Sequence, residues 1–167
     1  MEIDQRAIRG AASGQHGVWL IPRRDFAIAR IFEGKTVNGQ SRLLVGTPQQ
    51  TSGNHLLIVE TLGRRNYDGP TAEYTVFNRK LKTSTGRKDL GLQANKQPDI
   101  AVVIRNGTVD LYEVQSGDQD LFDLAQKLRD MRSALPANNR GKLFLYDKDG
   151  LPIEMEDLTI GEPVIIP

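Results

Sequence analysis

The sequence contains no cysteine among its 167 residues, and this absence excludes several classes of chemistry. Disulfides, thiolate catalysis and cysteine-based zinc or iron–sulfur sites cannot form without it. No apolar run approaches the roughly 20 residues that a membrane-spanning helix needs, and the opening MEIDQRAIRG lacks the pattern of a signal peptide. We therefore expect no membrane span, and export would require a delivery device or an upstream region that is later removed.

The net charge is small, and histidine is rare. The formal net charge is +1, so a nucleic-acid partner would have to be held by a local cluster of basic residues. The two histidines, His16 and His55, lack the spacing of metal ligands, and we expect each to be a surface or structural residue. The length suits one ordinary domain, or a core with an appendage.

The stretch QPDIAVVIRNGTVDLYEVQSG carries the strongest structural signal in the chain. IAVVI is a β-branched apolar run, TVDLYEVQ alternates between apolar and polar residues, and Asn106-Gly107 between them is a strong hairpin signal. Glu113 and Gln115 are two residues apart on the second strand, so the pattern places them on one face. The stretch predicts two antiparallel strands around a tight turn.

The length of that turn decides whether the acidic residues can meet. A two-residue turn would place Asp99 opposite Val114, facing away from Glu113. A three-residue loop from Arg105 to Gly107 puts the glycine in the left-handed position of a β-bulge and Asp99 opposite Glu113. We favour the three-residue loop, because a slip of one residue would scatter the polar side chains.

Residues 1–62 are predicted to form a strand-rich subdomain or an extension of the following sheet. Short strands are expected at residues 18–21, 26–32, 42–45 and 55–60, with a turn within residues 34–39. Residues 63–70 are predicted to be a polar loop. A helix is expected from Pro70 or Thr71 to about Lys82, and Glu73 lies one turn before Phe77 on its apolar stripe.

A basic cluster follows this predicted helix. It could grip a phosphate backbone, or it could be an ordinary solvated surface, and the sequence leaves both interpretations open. Its members are Arg79, Lys80, Lys82, Arg87, Lys88 and Lys96.

After the hairpin, apolar residues at helical spacing predict a helix that packs on the sheet, with Asp118 as N-cap and Pro136 beyond its end. Lys127 is expected to be an exposed residue of this helix. Residues 141–146 form the next predicted strand, parallel to its neighbour because a helical crossover precedes it. Residues 147–150 are a predicted turn, and residues 151–167 form a tail that could add an edge strand.

The order Pro98-Asp99, hydrophobic strand, turn, Glu113-Val114-Gln115 resembles the PD-(D/E)XK nuclease superfamily, whose signature is an acidic residue followed by an acidic-x-Lys triplet. It is also similar to the nuclease domains that close bacterial polymorphic and contact-dependent toxins. The resemblance covers residues 63–147. The chain departs from the pattern at Gln115, where an amide without charge replaces the usual lysine.

The resemblance implies an α/β fold with a restriction-endonuclease-like core in the order α-β-β-α-β, a mixed central sheet flanked by helices. This nuclease-like core would span residues 63–150. Many members carry a glutamate on the helix before the core strands, a place that Glu73 matches, although a helix-terminal charge is the alternative. In some members a basic or amide residue on the later helix assists, which is the place of Lys127.

Two carboxylates on neighbouring strands suit a hard cation such as Mg²⁺, or Mn²⁺, which activates a bound water and polarises the phosphate. Asp99 and Glu113 are the expected metal-binding and catalytic residues. By resemblance, the Val114 carbonyl and Glu73 would complete the metal site. Gln115 would orient the water or contact the phosphate.

The expected function is therefore a metal-dependent endonuclease that hydrolyses phosphodiester bonds, with double-stranded DNA as substrate. The resemblance further implies a bacterial toxin effector that is secreted or delivered and acts in the cytoplasm, with a cognate immunity protein as partner. Two alternatives stay open: a catalytically inactive nuclease-like binding module, which Gln115 favours, and an RNase.

Overall fold

The computed structural model describes residues 31–51, 53–85 and 91–167, which form a mixed six-stranded sheet with helices on its faces. The strands lie in the sheet in chain order, so the predicted α/β class with a mixed sheet is confirmed. The strands are β1 Ile31–Val37, β2 Gln40–Val45, β3 Ala72–Phe77, β4 Ile100–Ile104, β5 Val109–Val114 and β6 Arg140–Tyr146. The helices are α1 His55–Asp68, α2 Leu81–Thr85 and α3 Leu121–Ser133, with 3₁₀ turns at Leu92–Asn95 and Ala137–Asn139.

Strand direction follows from the connections. The pairs β1/β2, β3/β4 and β4/β5 are antiparallel, whereas β2/β3 and β5/β6 are parallel. Each parallel pair is bridged by a helix, α1 or α3, because a short turn cannot join parallel neighbours. The predicted parallel pairing of the strand after α3 is thereby confirmed.

The two long helices cover opposite faces of the sheet. Ile100 and Val102 of β4 pack in one apolar cluster with α1, and Ala101 and Val103 pack in the other with α3. Because both faces are covered, the central strand β4, IAVVI, is apolar along its whole length rather than alternating. The structure has no helix, in the described part of the chain, with the length and apolar character needed to cross a bilayer.

The β4–β5 hairpin adopts the favoured register. Ile100 pairs with Tyr112 and Val103 with Val109, and the Ile104 N–H donates to the Thr108 carbonyl across 2.8 Å. The loop therefore has three residues and ends at Gly107, whose φ is +96°. Continuing the same register by one step brings Asp99 opposite Glu113.

The helix predicted from residue 70 to 82 is wrong, because this segment is the buried strand β3 followed by the short helix α2. All six residues of AEYTVF are buried, so the strand shows no alternation that would reveal it. Conversely, the strand predicted at 55–60 is wrong, because residues 55–68 form α1, which also includes most of the loop predicted at 63–70. Gly63 of α1 packs against the Phe77 ring, where a Cβ would collide.

Apart from the short helix α2 between β3 and β4, the core order is helix, three strands, helix, strand, with one strand more than expected between α1 and α3. The boundary predicted after residue 62 falls inside α1, and β1 and β2 extend the same sheet. The strand predicted at 42–45 is confirmed as part of β2, and the β1–β2 turn lies at Asn38-Gly39. The strand predicted at 18–21, and the 26–32 strand before Ile31, lie outside the described residues.

The apolar stripe predicted for the helix after the hairpin is confirmed, since Leu124, Leu128 and Met131 of α3 are buried. Its N-cap is Asp120 rather than Asp118: the Asp120 carboxylate accepts from the Phe122 N–H at 2.8 Å. The tail, residues 151–167, packs along β6 through single hydrogen bonds and forms no edge strand.

Candidate active site

Asp99 and Glu113 lie side by side at the open end of the β4–β5 hairpin, beside a polar cavity of about 280 Å³. The side chains that line the cavity come from six places in the chain. They lie in the connection before α1, at the start of α1, at the ends of β3, β4 and β5, and on α3. The two acidic residues that the sequence singled out are thus brought together, on the side of the sheet covered by α3.

Asp99 is held from two directions. It is 8% exposed, and its Oδ2 accepts from the Val114 N–H at 2.8 Å and lies 3.3 Å from His55 Nε2. Burial alone would raise the pKa of Asp99, but hydrogen bonds with His55, Glu113 and the Val114 N–H hold it below the usual value. Asp99 is therefore the member of the pair that stays ionised.

Glu113 is the other member and is only 2% exposed. Burial, together with the neighbouring charge of Asp99, raises the pKa of Glu113 well above its usual value, while Lys127 acts in the opposite direction. Two buried carboxyl groups in contact favour one shared proton over two charges.

Lys127 supplies the positive charge of the site, although the sequence predicted an exposed lysine. Its ammonium forms an ion pair with Glu113 and donates to the Gln97 carbonyl at 2.9 Å. The side chain is 30% exposed. Lys127 directly precedes the buried Leu128 on α3, so it stands at the border of the apolar stripe, and its long stem carries the ammonium to the hairpin.

Gln115, the residue in the usual lysine position, is engaged elsewhere. Its Nε2 donates to the Gln119 carbonyl at 2.9 Å, and its Oε1 accepts from the Lys148 N–H at 3.2 Å. These bonds tie the loop after β5 to the turn after β6. Gln115 is absent from the described residues that line the cavity, so its predicted role toward water or phosphate is not supported by this placement.

Glu73 does not belong to the cavity either. It lies at the other end of β3, where its Oε1 is 3.6 Å from Arg105 Nη1 beside the hairpin loop. The paired length of β4, about 15 Å at roughly 3.3 Å per residue, separates it from Asp99. The expectation that Glu73 lies on a helix and completes the metal site is therefore corrected: it lies on the strand β3, away from the cavity. Burial raises the pKa of Glu73 to about 7, and Arg105 opposes this.

His55 reaches the cavity from α1, the helix that precedes the strands β3, β4 and β5. It is the first residue of α1, is 5% exposed and contacts both Asp99 and Thr51. From the sequence, His55 is expected to be a surface or structural residue. No local signal points to its role, because Asp99 is 44 positions away.

The basic cluster lies next, in the sequence, to two residues that line the cavity. Asn78 and Gln97 line the cavity, and their amide side chains hydrogen-bond to each other at 2.6 Å. Four basic residues of the cluster lie close to these two positions in the chain: three follow Asn78, one of them in α2, and one precedes Gln97. Arg87 and Lys88 lie outside the described residues. The four are Arg79, Lys80, Lys82 and Lys96.

The donor set fits a hard divalent cation. Among residues 31–51, 53–85 and 91–167, no group of three or more His, Cys, Asp or Glu side chains is placed to hold a metal ion. Two adjoining carboxyl groups that share a proton can exchange it for a cation, and Mg²⁺ needs few protein ligands because it keeps several waters. The Val114 N–H faces Asp99, and its carbonyl leaves the strand on the same side. Asp99, Glu113 and the Val114 carbonyl are thus the ligands available.

Comparison of the chain with protein-family models, with curated proteins and with solved structures gives no match.

Proposed function

We propose that this chain is a Mg²⁺-dependent endonuclease that hydrolyses phosphodiester bonds in DNA, with Mn²⁺ able to replace Mg²⁺. The observation that carries the proposal is the convergence of Asp99, Glu113 and Lys127 beside one polar cavity. Two carboxylates and one ammonium are the groups that the acidic, acidic-x-Lys signature brings together. Here the ammonium comes from α3 instead of β5. The succession of helix, strands, helix and strand supports a restriction-endonuclease-like core.

Asp99 and Glu113 would hold the cation, with the Val114 carbonyl as a further ligand. When bound, Mg²⁺ acts as a Lewis acid at the phosphate and lowers the pKa of a coordinated water. The Lys127 ammonium, fixed by the Gln97 carbonyl, stabilises negative charge as it develops on the phosphate. Because the ammonium is already held in place, little reorganisation is needed during the reaction.

The basic residues beside the cavity would guide the nucleic acid to it. Arg79 and Lys80 follow the cavity residue Asn78, and Lys96 precedes Gln97, so these basic residues would contact phosphates near the cavity. Such contacts position the backbone without reading bases. The cleavage should therefore depend strongly on salt and weakly on sequence.

The same proposal includes a toxin role in the cytoplasm of a target cell, with an immunity protein as partner, and it rests on the resemblance alone. Expression in bacteria tests it. Growth arrest with wild type but not with Asp99→Asn supports the role, and co-expression of the neighbouring gene should restore growth if that gene encodes the partner. Normal growth on expression of soluble, active wild type would refute it.

The enzymatic proposal is tested on supercoiled plasmid with Mg²⁺, with Mn²⁺ and with chelator. Asp99→Asn and Glu113→Gln should each lower cleavage by about 100-fold or more, since metal-based stabilisation supplies several kcal/mol and each 1.36 kcal/mol is tenfold. Glu73→Gln is the matched control, because it alters a buried carboxylate of the same sheet outside the cavity. Equal cleavage by all the variants would refute the assignment.

Two further outcomes separate the alternatives. Cleavage of structured RNA but not of plasmid would keep the site and change the substrate. Absence of cleavage together with absence of cation binding, measured by calorimetry, would identify an inactive binding module.

A further inference from the structure

Thr51, His55 and Asp99 form a chain of side-chain contacts that the nuclease signature does not include. Thr51 Oγ1 lies 2.8 Å from His55 Nδ1, and His55 Nε2 lies 3.3 Å from Asp99 Oδ2. We propose that His55 is a positioning residue that orients the Asp99 carboxylate, and that Thr51 fixes the imidazole tautomer that does so. This inference rests on the proposed function and names two further residues of the same site.

The geometry at Asp99 explains what is positioned. Its Oδ2 receives the Val114 N–H from one side and faces His55 Nε2 on the other. Two donors on one oxygen fix the rotation of the carboxyl group about its bond to Cβ. The orientation of the second oxygen, Oδ1, is then fixed as well, and a ligand of a cation needs such a fixed orientation.

The direction of each hydrogen bond follows from the chemistry of the partners. An ionised carboxylate only accepts hydrogen bonds, so the proton of this contact must lie on His55 Nε2. In a neutral imidazole the other nitrogen, Nδ1, is then an acceptor, and the Thr51 hydroxyl must be the donor. Residues that are hydrogen-bonded to a metal ligand commonly fix its orientation in this way, and their own partners set their tautomer.

The same geometry argues for positioning by His55 rather than for direct binding of the cation. Both ring nitrogens are engaged, Nδ1 with Thr51 and Nε2 with Asp99, so neither has an unshared electron pair directed to the cavity. The ring is 5% exposed and is fixed at the start of α1, where the Ile58 N–H donates to the Asn54 carbonyl at 2.9 Å. The connection between β2 and α1 is thereby coupled to the site through Thr51.

Nitrogen NMR of the imidazole rings tests the tautomer directly. The full chain has only two histidines, so a His16→Gln variant leaves His55 as the single signal. At a pH well above the ordinary histidine pKa of about 6.5, we expect Nε2 to carry the proton and Nδ1 to be unprotonated. Thr51→Val should shift this balance, and Thr51→Ser should preserve it. A wild type with the opposite tautomer or a doubly protonated ring, or a spectrum unchanged in Thr51→Val, would overturn the inference.

Calorimetric binding of Mn²⁺ alone tests the consequence for the site. His55→Ala should weaken binding by about 10-fold or more, the usual cost of losing the partner of a metal ligand. Thr51→Val should weaken it several-fold, and Thr51→Ser should restore it. Thr61→Val is the matched control, because the Thr61 hydroxyl donates to the Leu57 carbonyl on α1, and Thr61 is not among the described residues that line the cavity. Unchanged Mn²⁺ affinity in His55→Ala would overturn the positioning role.

The two proposals can fail separately. If wild type neither binds Mn²⁺ nor cleaves plasmid, the nuclease proposal fails, even though the tautomer spectra could still show the Thr51–His55 contact. If wild type binds Mn²⁺ and cleaves, but His55→Ala does so equally well, the nuclease stands and His55 is excluded as a positioning residue.

Discussion

Replacing Lys127 by methionine should separate cation binding from turnover. The substitution keeps the apolar stem against α3 and removes the ammonium that lies between Glu113 and the Gln97 carbonyl. An ammonium beside Glu113 competes with a cation for the same carboxylate, so Mn²⁺ affinity should stay the same or increase in Lys127→Met. Turnover should fall, because the positive charge that faces the phosphate is lost.

The size of the effect follows from the contacts. Removing one preorganised donor to developing charge costs about 10²- to 10³-fold in turnover, or about 2.7–4 kcal/mol. The effect on folding should be smaller than the roughly 3–5 kcal/mol that breaking a buried ion pair usually costs, because Glu113 can respond by holding a proton. The raised pKa of Glu113 already favours that form.

The assay is single-turnover plasmid cleavage at saturating Mn²⁺, together with calorimetric Mn²⁺ titration of the same preparations. Lys142→Met, at an exposed lysine of β6, is the control because it makes the same change in net charge away from the cavity. Wild-type turnover in Lys127→Met would refute the catalytic role of the ammonium. A loss of Mn²⁺ affinity equal to that of Glu113→Gln would show a structural effect instead.

Three further predictions follow from the same contacts. Adding Gln115→Lys to Lys127→Met should not restore cleavage. Gln115→Lys should lower the free energy of unfolding by about 1–3 kcal/mol, because two hydrogen bonds are lost. The pKa of Glu73 is about 7 in the fold against an ordinary 4.5, so the native state retains a proton that the unfolded chain has lost, and stability falls as pH rises between these values. At 1.36 kcal/mol per pKa unit, this group should change the free energy of unfolding by roughly 3 kcal/mol between these two pH values. Denaturant titration of Glu73→Gln should lack this change, and a pH dependence equal to that of wild type would contradict the prediction. Asp120→Ala should destabilise the chain by about 1 kcal/mol through loss of the α3 cap, and Asp118→Ala should have little effect.

The hairpin could be predicted because its signals are local. Asn106-Gly107, the β-branched run and the alternation are all contained within one short stretch, and the three-residue loop then sets the register of Asp99 against Glu113. The elements before it could not be predicted in the same way. β3 is buried on both faces and α1 begins with a continuous apolar run, so neither segment shows the period that would distinguish strand from helix.

The position of Gln115 was inferred from a rule that applies only inside a strand. Residues two apart share a face while the chain stays extended and paired, but β5 ends at Val114 and the next residues form the loop. From the sequence, Lys127 is expected to be exposed, with a part in the site only by resemblance, and His55 is expected to be a surface or structural residue. Each reaches the site by the packing of a helix on the sheet, and no short sequence pattern encodes that packing.

The location of the site at a strand end explains how these side chains can meet. α1 and α3 pack on opposite faces of the sheet, and within the strands the backbone separates the two layers. Asp99 lies just before the first residue of β4, where the sheet no longer separates them. His55 from the α1 layer and Glu113, with Lys127, from the α3 layer can therefore approach the same carboxyl group. Correct geometry then requires both helices to be docked, so variants that loosen either helix should lose cation binding before the sheet unfolds.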